Sequence, residues 1–378
     1  MKLGLYLHFP FCKAKCPYCD FNSYPLKEDN QISSYISALF KEISIYSQKY
    51  KKSRIKTIYL GGGTPTILSG VQIGNILDFC KDKFNIEQNA EITIEANPGT
   101  LDGEKIKFLI GSGINRLSLG AQSFSDRLLK KLGRIHNTQD IIDTFHLARE
   151  AGFNNINLDI MFALPGQTTE DFKATLKKAV SLYPDHLSLY NLTINEGTEY
   201  YEEHQRNNLK LPTEDDEFVM YHWAINFLKK NHFEHYEIAN FAQPHKRSLH
   251  NLIYWQNQPY LGIGAGAYSF IRGYRYSNFK DPVKYIKEIS NDKLPVDHGE
   301  KLSLRKRMIE TLILGLRTKD GVSFKEFLKR FKVDMNSIFH KQINKLVNLR
   351  LLLKDDCQIK LTKKGIFLAN VVFREFVD

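Results

Sequence analysis

Short apolar runs of period two alternate with longer stretches of helical period along most of the chain. Residues 3–9 read as a strand and 31–50 as an amphipathic helix. Thr57-Ile-Tyr-Leu60 is a strand opening into Gly61-Gly-Gly-Thr-Pro65, and a helix follows over 71–84. Further strands are expected at 91–95, 116–119, 155–159 and 186–190. Helices are expected at 102–110, 137–150, 169–182 and 214–230, several of them closed by glycines such as Gly111, Gly113 and Gly152. Strands separated by helices of ten or more residues imply βαβ units and a parallel sheet. Six such units suit an open, partial (β/α)6 barrel, whose chemistry would sit at the C-terminal rim of its strands; a doubly wound sheet is the competing arrangement.

The pattern changes after Phe233. His235–Phe241 reads as an extra strand, and Leu261-Gly-Ile-Gly-Ala-Gly-Ala267 as a glycine-rich turn packed against a ligand or neighbouring backbone. Helices then dominate at 284–290, 302–316, 324–331 and 335–349. A hairpin over 351–361, turning at Asp355-Asp356, and a last helix over 363–376 complete a winged-helix-like unit. Such units bind DNA or serve only as packing and protein-contact modules. The expected division is 1–233 for the barrel, 234–280 for the connecting region and 281–378 for the C-terminal unit.

Composition changes this picture little. With 378 residues, 42% apolar and 25% charged, the chain reads as an ordinary globular protein of more than one unit. No run of about 18 apolar residues is present to span a membrane. The first residues alternate and are broken by Pro10, unlike a signal peptide, so a cytoplasmic location is expected. The net charge of +11 comes from lysines scattered over helix faces rather than gathered in one block, so nucleic acid is not an expected partner. Five cysteines are too few, and odd in number, for a disulfide framework.

Three of the five form Cys12-Lys-Ala-Lys-Cys16-Pro-Tyr-Cys19, just after the first strand. Thiolates at that spacing converge from a loop and suit an iron–sulfur cluster with one iron left open to a non-protein ligand. Structural zinc would need a fourth ligand, and no Cys or His follows at zinc-finger spacing. Polar residues close the strands that follow: Gly62, Gly63 and Thr64 after the second, Glu95 after the third and Gln122 after the fourth. Arg134 lies on the next loop and Asp159 at the fifth strand. The glycine run lacks the Gly-Lys-Ser/Thr of a phosphate-binding loop.

The Cys-x-x-x-Cys-x-x-Cys loop after an N-terminal strand resembles that of the radical S-adenosylmethionine (SAM) enzymes. The strand ends resemble the subgroup containing oxygen-independent coproporphyrinogen III dehydrogenase and the HemW-type haem chaperones, over nearly the whole chain. The resemblance implies a [4Fe-4S] cluster on Cys12, Cys16 and Cys19, with SAM held by Tyr6, Gly62 and Glu95. Gly63, Thr64, Gln122, Arg134 and Asp159 would line the adjoining cofactor cavity.

Two features distinguish the branches. The dehydrogenases carry a further cysteine two residues after the third, where this chain has Phe21, and a long extension before the motif, where Cys12 follows eleven residues here. His250-Asn-Leu-Ile-Tyr254-Trp255 is similar to an arrangement shared by the chaperones, and makes His250 the candidate haem ligand; the alternative is a core histidine beside a packed Trp. The resemblance thus implies a haem chaperone that delivers haem to a haem-requiring, respiratory apoprotein, with membrane contact only through such a client. The alternative is a coproporphyrinogen III oxidase forming protoporphyrinogen IX by radical oxidative decarboxylation. RNA modification, resting on charge alone, is a third.

Overall fold

A computed structural model describes residues 1–26 and 30–377. One twelve-stranded sheet organises the larger part of it. Its strands, in chain order, are β1 (Lys2–Phe9), β2 (Arg54–Gly62), β3 (Asn85–Ala96), β4 (Arg116–Gln122), β5 (Ile156–Phe162), β6 (His186–Asn191), β7 (Glu234–His235), β8 (Asn240–Ala242), β9 (Tyr260–Ile263), β10 (Tyr268–Ile271), β11 (Tyr274–Asn278) and β12 (Val296–Lys301). In space they run β12-β11-β10-β9-β1-β2-β3-β4-β5-β6-β8-β7. Strands β1 to β6 are parallel neighbours in sequence order, which is the expected open (β/α)6 half-barrel. The first six residues of β4 are all buried, because helices cover one face and the barrel interior the other.

The helices begin where the sequence supplies caps. Ser69, Asn137, Thr168 and Thr213 each close a reciprocal capping box with the residue three further on. They start the helices Gly70–Lys83, Thr138–Ala151, Thr169–Ser181 and Glu214–Lys230. Among the described residues no helix is long and apolar enough to cross a membrane.

The connecting region departs from expectation. Tyr260–Ile263 is a strand, parallel to β1 from Gly4↔Tyr260 to Leu7↔Ile263, and not only a turn. It opens an antiparallel meander through β10, β11 and β12 that extends the sheet past residue 280. Arg272 and Gly273 make the β10–β11 turn with φ of 53° and 80°, the two left-handed residues a tight hairpin needs. The expected strand at 235–241 is split into β7 and β8, because Glu237 turns the chain and accepts from the Ala239 N–H at 3.0 Å. The last helix is likewise two, Lys363–Phe367 and Ala369–Arg374, broken at Leu368.

Two cores result. Tyr285 and Ile289, on the helix Pro282–Ser290, belong to the barrel core, and the second core starts at Met308. The change of core therefore falls after the expected boundary at residue 281. The second core joins the helices Leu304–Leu316, Phe324–Phe331 and Met335–Asn348 to a three-stranded sheet with the expected hairpin. A short helix, Leu249–Trp255, lies between the two cores and was not expected. Its first turn is capped from another strand, the Glu91 carboxylate accepting from the Leu249 and His250 N–H groups at 3.0 and 2.9 Å. It packs on the inner side of β1 and β2, where Ile253 and His250 face Gly4.

Candidate cofactor site and the cavity beside it

The cysteine loop is fixed at both ends. Phe11–Cys12 pairs with Tyr24–Pro25, and the Cys19 N–H donates to Cys16 O at 3.0 Å. Asn22 ties the loop to the glycine turn after β9, donating to Ala265 O at 3.1 Å and Lys280 O at 3.0 Å. All three thiols open into a cavity of about 330 Å³. They line it rather than closing on one point: among the described residues no three Cys, His, Asp or Glu side chains gather as a single-ion site. Burial raises the Cys12 and Cys19 thiols above their usual pKa, so metal binding there would be coupled to proton release.

Seven of the predicted strand-end residues share that cavity: Gly62, Gly63, Thr64, Glu95, Gln122, Arg134 and Asp159. Glu95 is held between two strands, accepting from the Tyr59 hydroxyl at 2.8 Å and the Gly62 N–H at 3.1 Å. An ammonium placed at Gly62 would therefore meet its carbonyl, the N–H being already given. Burial raises the Glu95 carboxyl to about 7. The Thr64 hydroxyl accepts from Asn97 Nδ2 at 2.8 Å and lies 3.6 Å from Cys12 Sγ. Arg134 links the elements, bonding Asn97, Gly120 O at 3.1 Å and Cys16 Sγ at 3.6 Å. Asp159 sits in the middle of β5 rather than at its end, accepting from Ser118 and Asn157 at 2.9 Å. Tyr59, Asn97, Arg116, Ser118 and Asn157 line the same cavity and were not singled out from sequence. Asn97 had a signal, standing in the motif Glu95-Ala-Asn97-Pro98.

Tyr6 and His250 lie elsewhere, in the wall of a second cavity of about 890 Å³ that shares Tyr59, Gly62, Glu95, Tyr190 and Phe21 with the first. Tyr6 donates to His8 Nδ1 at 3.0 Å, and His8 Nε2 donates to Asn22 O at 2.8 Å. The second cavity is aromatic, lined by Tyr254, Trp255, Tyr260, Phe270, Phe21 and Tyr24. Lys15 and Lys280 line it beside Asp20 and Glu95, and Arg275 lines it paired with Glu300 and Glu310. His250 is 1% exposed, and burial lowers its pKa to about 3, so the imidazole is neutral.

Three thiols on one loop, a glycine turn and a half-buried glutamate at the rim of a half-barrel define a radical SAM protein. Residues 6–179 match the radical SAM superfamily and residues 302–368 the HemN C-terminal domain. Among solved structures, coproporphyrinogen III oxidase (HemN) from Escherichia coli, a radical SAM enzyme, superposes with a TM-score of 0.87 at 24% identity, over 99% of this chain and 90% of its own. That likeness speaks for the fold. The heme chaperone HemW of Lactococcus lactis is 39% identical over 98% of this chain and 96% of its own. That of Bacillus subtilis is 37% identical over 98% of both. The chain belongs to the HemW family of the radical SAM superfamily, whose cofactors are a [4Fe-4S] cluster and SAM.

Proposed function

We propose that the protein is a haem chaperone, taking up haem and passing it to haem-requiring apoproteins such as respiratory enzymes. The observation that carries this reading is the second cavity. Its volume lies within the roughly 300–1,000 Å³ usual for small-molecule sites. Its walls are aromatic, suited to the faces of a porphyrin, and Lys15 and Lys280 suit its propionates. The full-length likeness to relatives named heme chaperone HemW supports the same reading. Phe21, where the dehydrogenase branch has cysteine, is 62% exposed and lines both cavities.

Cys12, Cys16 and Cys19 would hold the cluster, and Gly62, Gly63, Thr64, Glu95, Gln122, Arg134 and Asp159 would hold SAM, with Tyr6 in the wall of the second cavity. When bound, the cluster supplies one-electron chemistry beside the haem cavity. The chain's own part is to orient: Glu95 and Arg134 fix the two walls, and Asn22 fixes the loop. Five free cysteines suit a reducing compartment, which favours the cytoplasm. To test the reading, cluster-loaded protein is titrated with haem and then mixed with an apocytochrome. Saturable uptake followed by transfer supports it; haem that is never retained, or never released to the apoprotein, refutes it.

A further inference from the structure

Haem ligation by His250 meets a geometric obstacle. Both ring nitrogens are engaged, Nδ1 lying 2.7 Å from Thr57 Oγ1 and Nε2 2.8 Å from the Tyr254 hydroxyl. The imidazole is buried, whereas Tyr254, one helical turn further along, is partly exposed and lines the second cavity. The Tyr254 ring stands edge-on to His250, with centroids 4.9 Å apart, and edge-on to Tyr260 at 4.7 Å. Both His250 and Tyr254 line the cavity, and the tyrosine is the more exposed of the two.

Building on the chaperone reading, we propose that Tyr254 is the protein ligand of ferric haem iron and that His250 is the positioning residue behind it. Phenolate is an established type of haem ligand. Ferric haem arriving with a bound hydroxide makes the step balance. The hydroxide takes the phenolic proton of Tyr254 and leaves as water, the iron–oxygen bond to Tyr254 forms, and no electron moves. The tyrosine oxygen then needs a donor where it had an acceptor. Thr57 can supply the change, because a hydroxyl both donates and accepts. With Thr57 donating to Nδ1, the His250 proton sits on Nε2 and bonds the phenolate, with no change in net charge. Tyr59 and Tyr6 lack this arrangement, their hydroxyls being given to Glu95 and His8. Trp255 lines the same wall, and its buried Nε1 has no hydrogen-bond partner among the described residues.

The test compares ferric haem complexes of the full-length protein with those of Tyr254→Phe, His250→Ala and Thr57→Val, by electronic absorption, resonance Raman and haem titration. The wild type is expected to show a phenolate-to-iron charge-transfer band and an iron–phenolate stretch. Tyr254→Phe loses both and binds haem at least tenfold more weakly. His250→Ala and Thr57→Val keep the band, shifted. Circular dichroism confirms that each variant is folded, and Thr57→Val leaves the test intact if Tyr254→Phe is not. A wild-type spectrum without the band, an unchanged spectrum in Tyr254→Phe, or ligation lost in His250→Ala and kept in Tyr254→Phe overturns the assignment while leaving the chaperone reading standing. A wild type that takes up no haem overturns the chaperone reading itself.

Discussion

Gly63→Ala places a Cβ 2.4 Å from Phe11 O, 2.9 Å from the Phe11 carbonyl carbon and 3.0 Å from Cys12 Sγ. Two of these atoms are backbone and cannot rotate away. Carbon contacts are comfortable near 3.5 Å or beyond, so the Phe11–Cys12 segment must retreat by roughly 1 Å. It is held in place by the Gly63 N–H to Phe9 O and the Thr64 N–H to Phe11 O, each 2.8 Å. Overpacking of this kind costs about 1–3 kcal/mol, and a broken backbone hydrogen bond adds about 1 kcal/mol. Functional constellations tolerate displacements of about 0.5 Å, so Cys12 would leave its place among the three thiols. After anaerobic reconstitution, iron per chain and cluster absorbance should fall below half the wild-type value, with a lower unfolding midpoint for the metal-free protein. Gly103→Ala is the control, since nothing lies within 4 Å of its Cβ, and it should match wild type in both. Full iron content at an unchanged midpoint in Gly63→Ala would show that the cluster loop does not rest on the glycine turn.

Glu95→Ala removes the group that joins Tyr59 to Gly62, and should weaken SAM binding to the cluster-loaded protein at least tenfold by calorimetry; equal affinity would place SAM elsewhere. Arg134→Ala cuts the bridge from Cys16 to Asn97 and Gly120, and should at least halve the lifetime of the cluster absorbance in air, whereas an unchanged lifetime would reduce Arg134 to a wall residue. Glu42 is fully buried, accepting from Gly264 N–H, Asn278 and Tyr285, and burial lifts its carboxyl from 4.5 to about 7. The folded state then holds a proton that the unfolded chain releases, so this group's contribution is present below about pH 4.5 and is lost as pH rises to about 7, by roughly 3 kcal/mol. Urea unfolding of wild type and Glu42→Gln at pH 5 and pH 7.5 should show wild type gaining relative stability at the lower pH; parallel pH profiles would refute the assignment.

The half-barrel was legible because its signals are local and repeated: six apolar runs separated by stretches of helical period, several closed by glycines such as Gly152. The cysteine loop and glycine turn were legible because their spacing is itself the chemistry. The meander β9–β12 was not, for physical reasons. Its strands have four to six residues, and its turn uses Arg272-Gly273 in place of Asn-Gly. Gly262 resembles a turn residue but is needed because a Cβ there would lie 2.1 Å from Tyr268 O of the neighbouring strand. The helix Leu249–Trp255 escaped notice because part of its cap comes from Glu91, far away in sequence. For the same reason the motif around His250 could be read, but not the role of Thr57 behind it.

A haem chaperone would use the larger cavity to hold haem as cargo. Cluster-loaded protein, supplied with SAM and reductant, should be given haem and coproporphyrinogen III together under anaerobic conditions, and the fate of each followed by absorption and chromatography. Haem should be retained and coproporphyrinogen III recovered unchanged. Formation of protoporphyrinogen IX, with haem left free in solution, would contradict the chaperone reading.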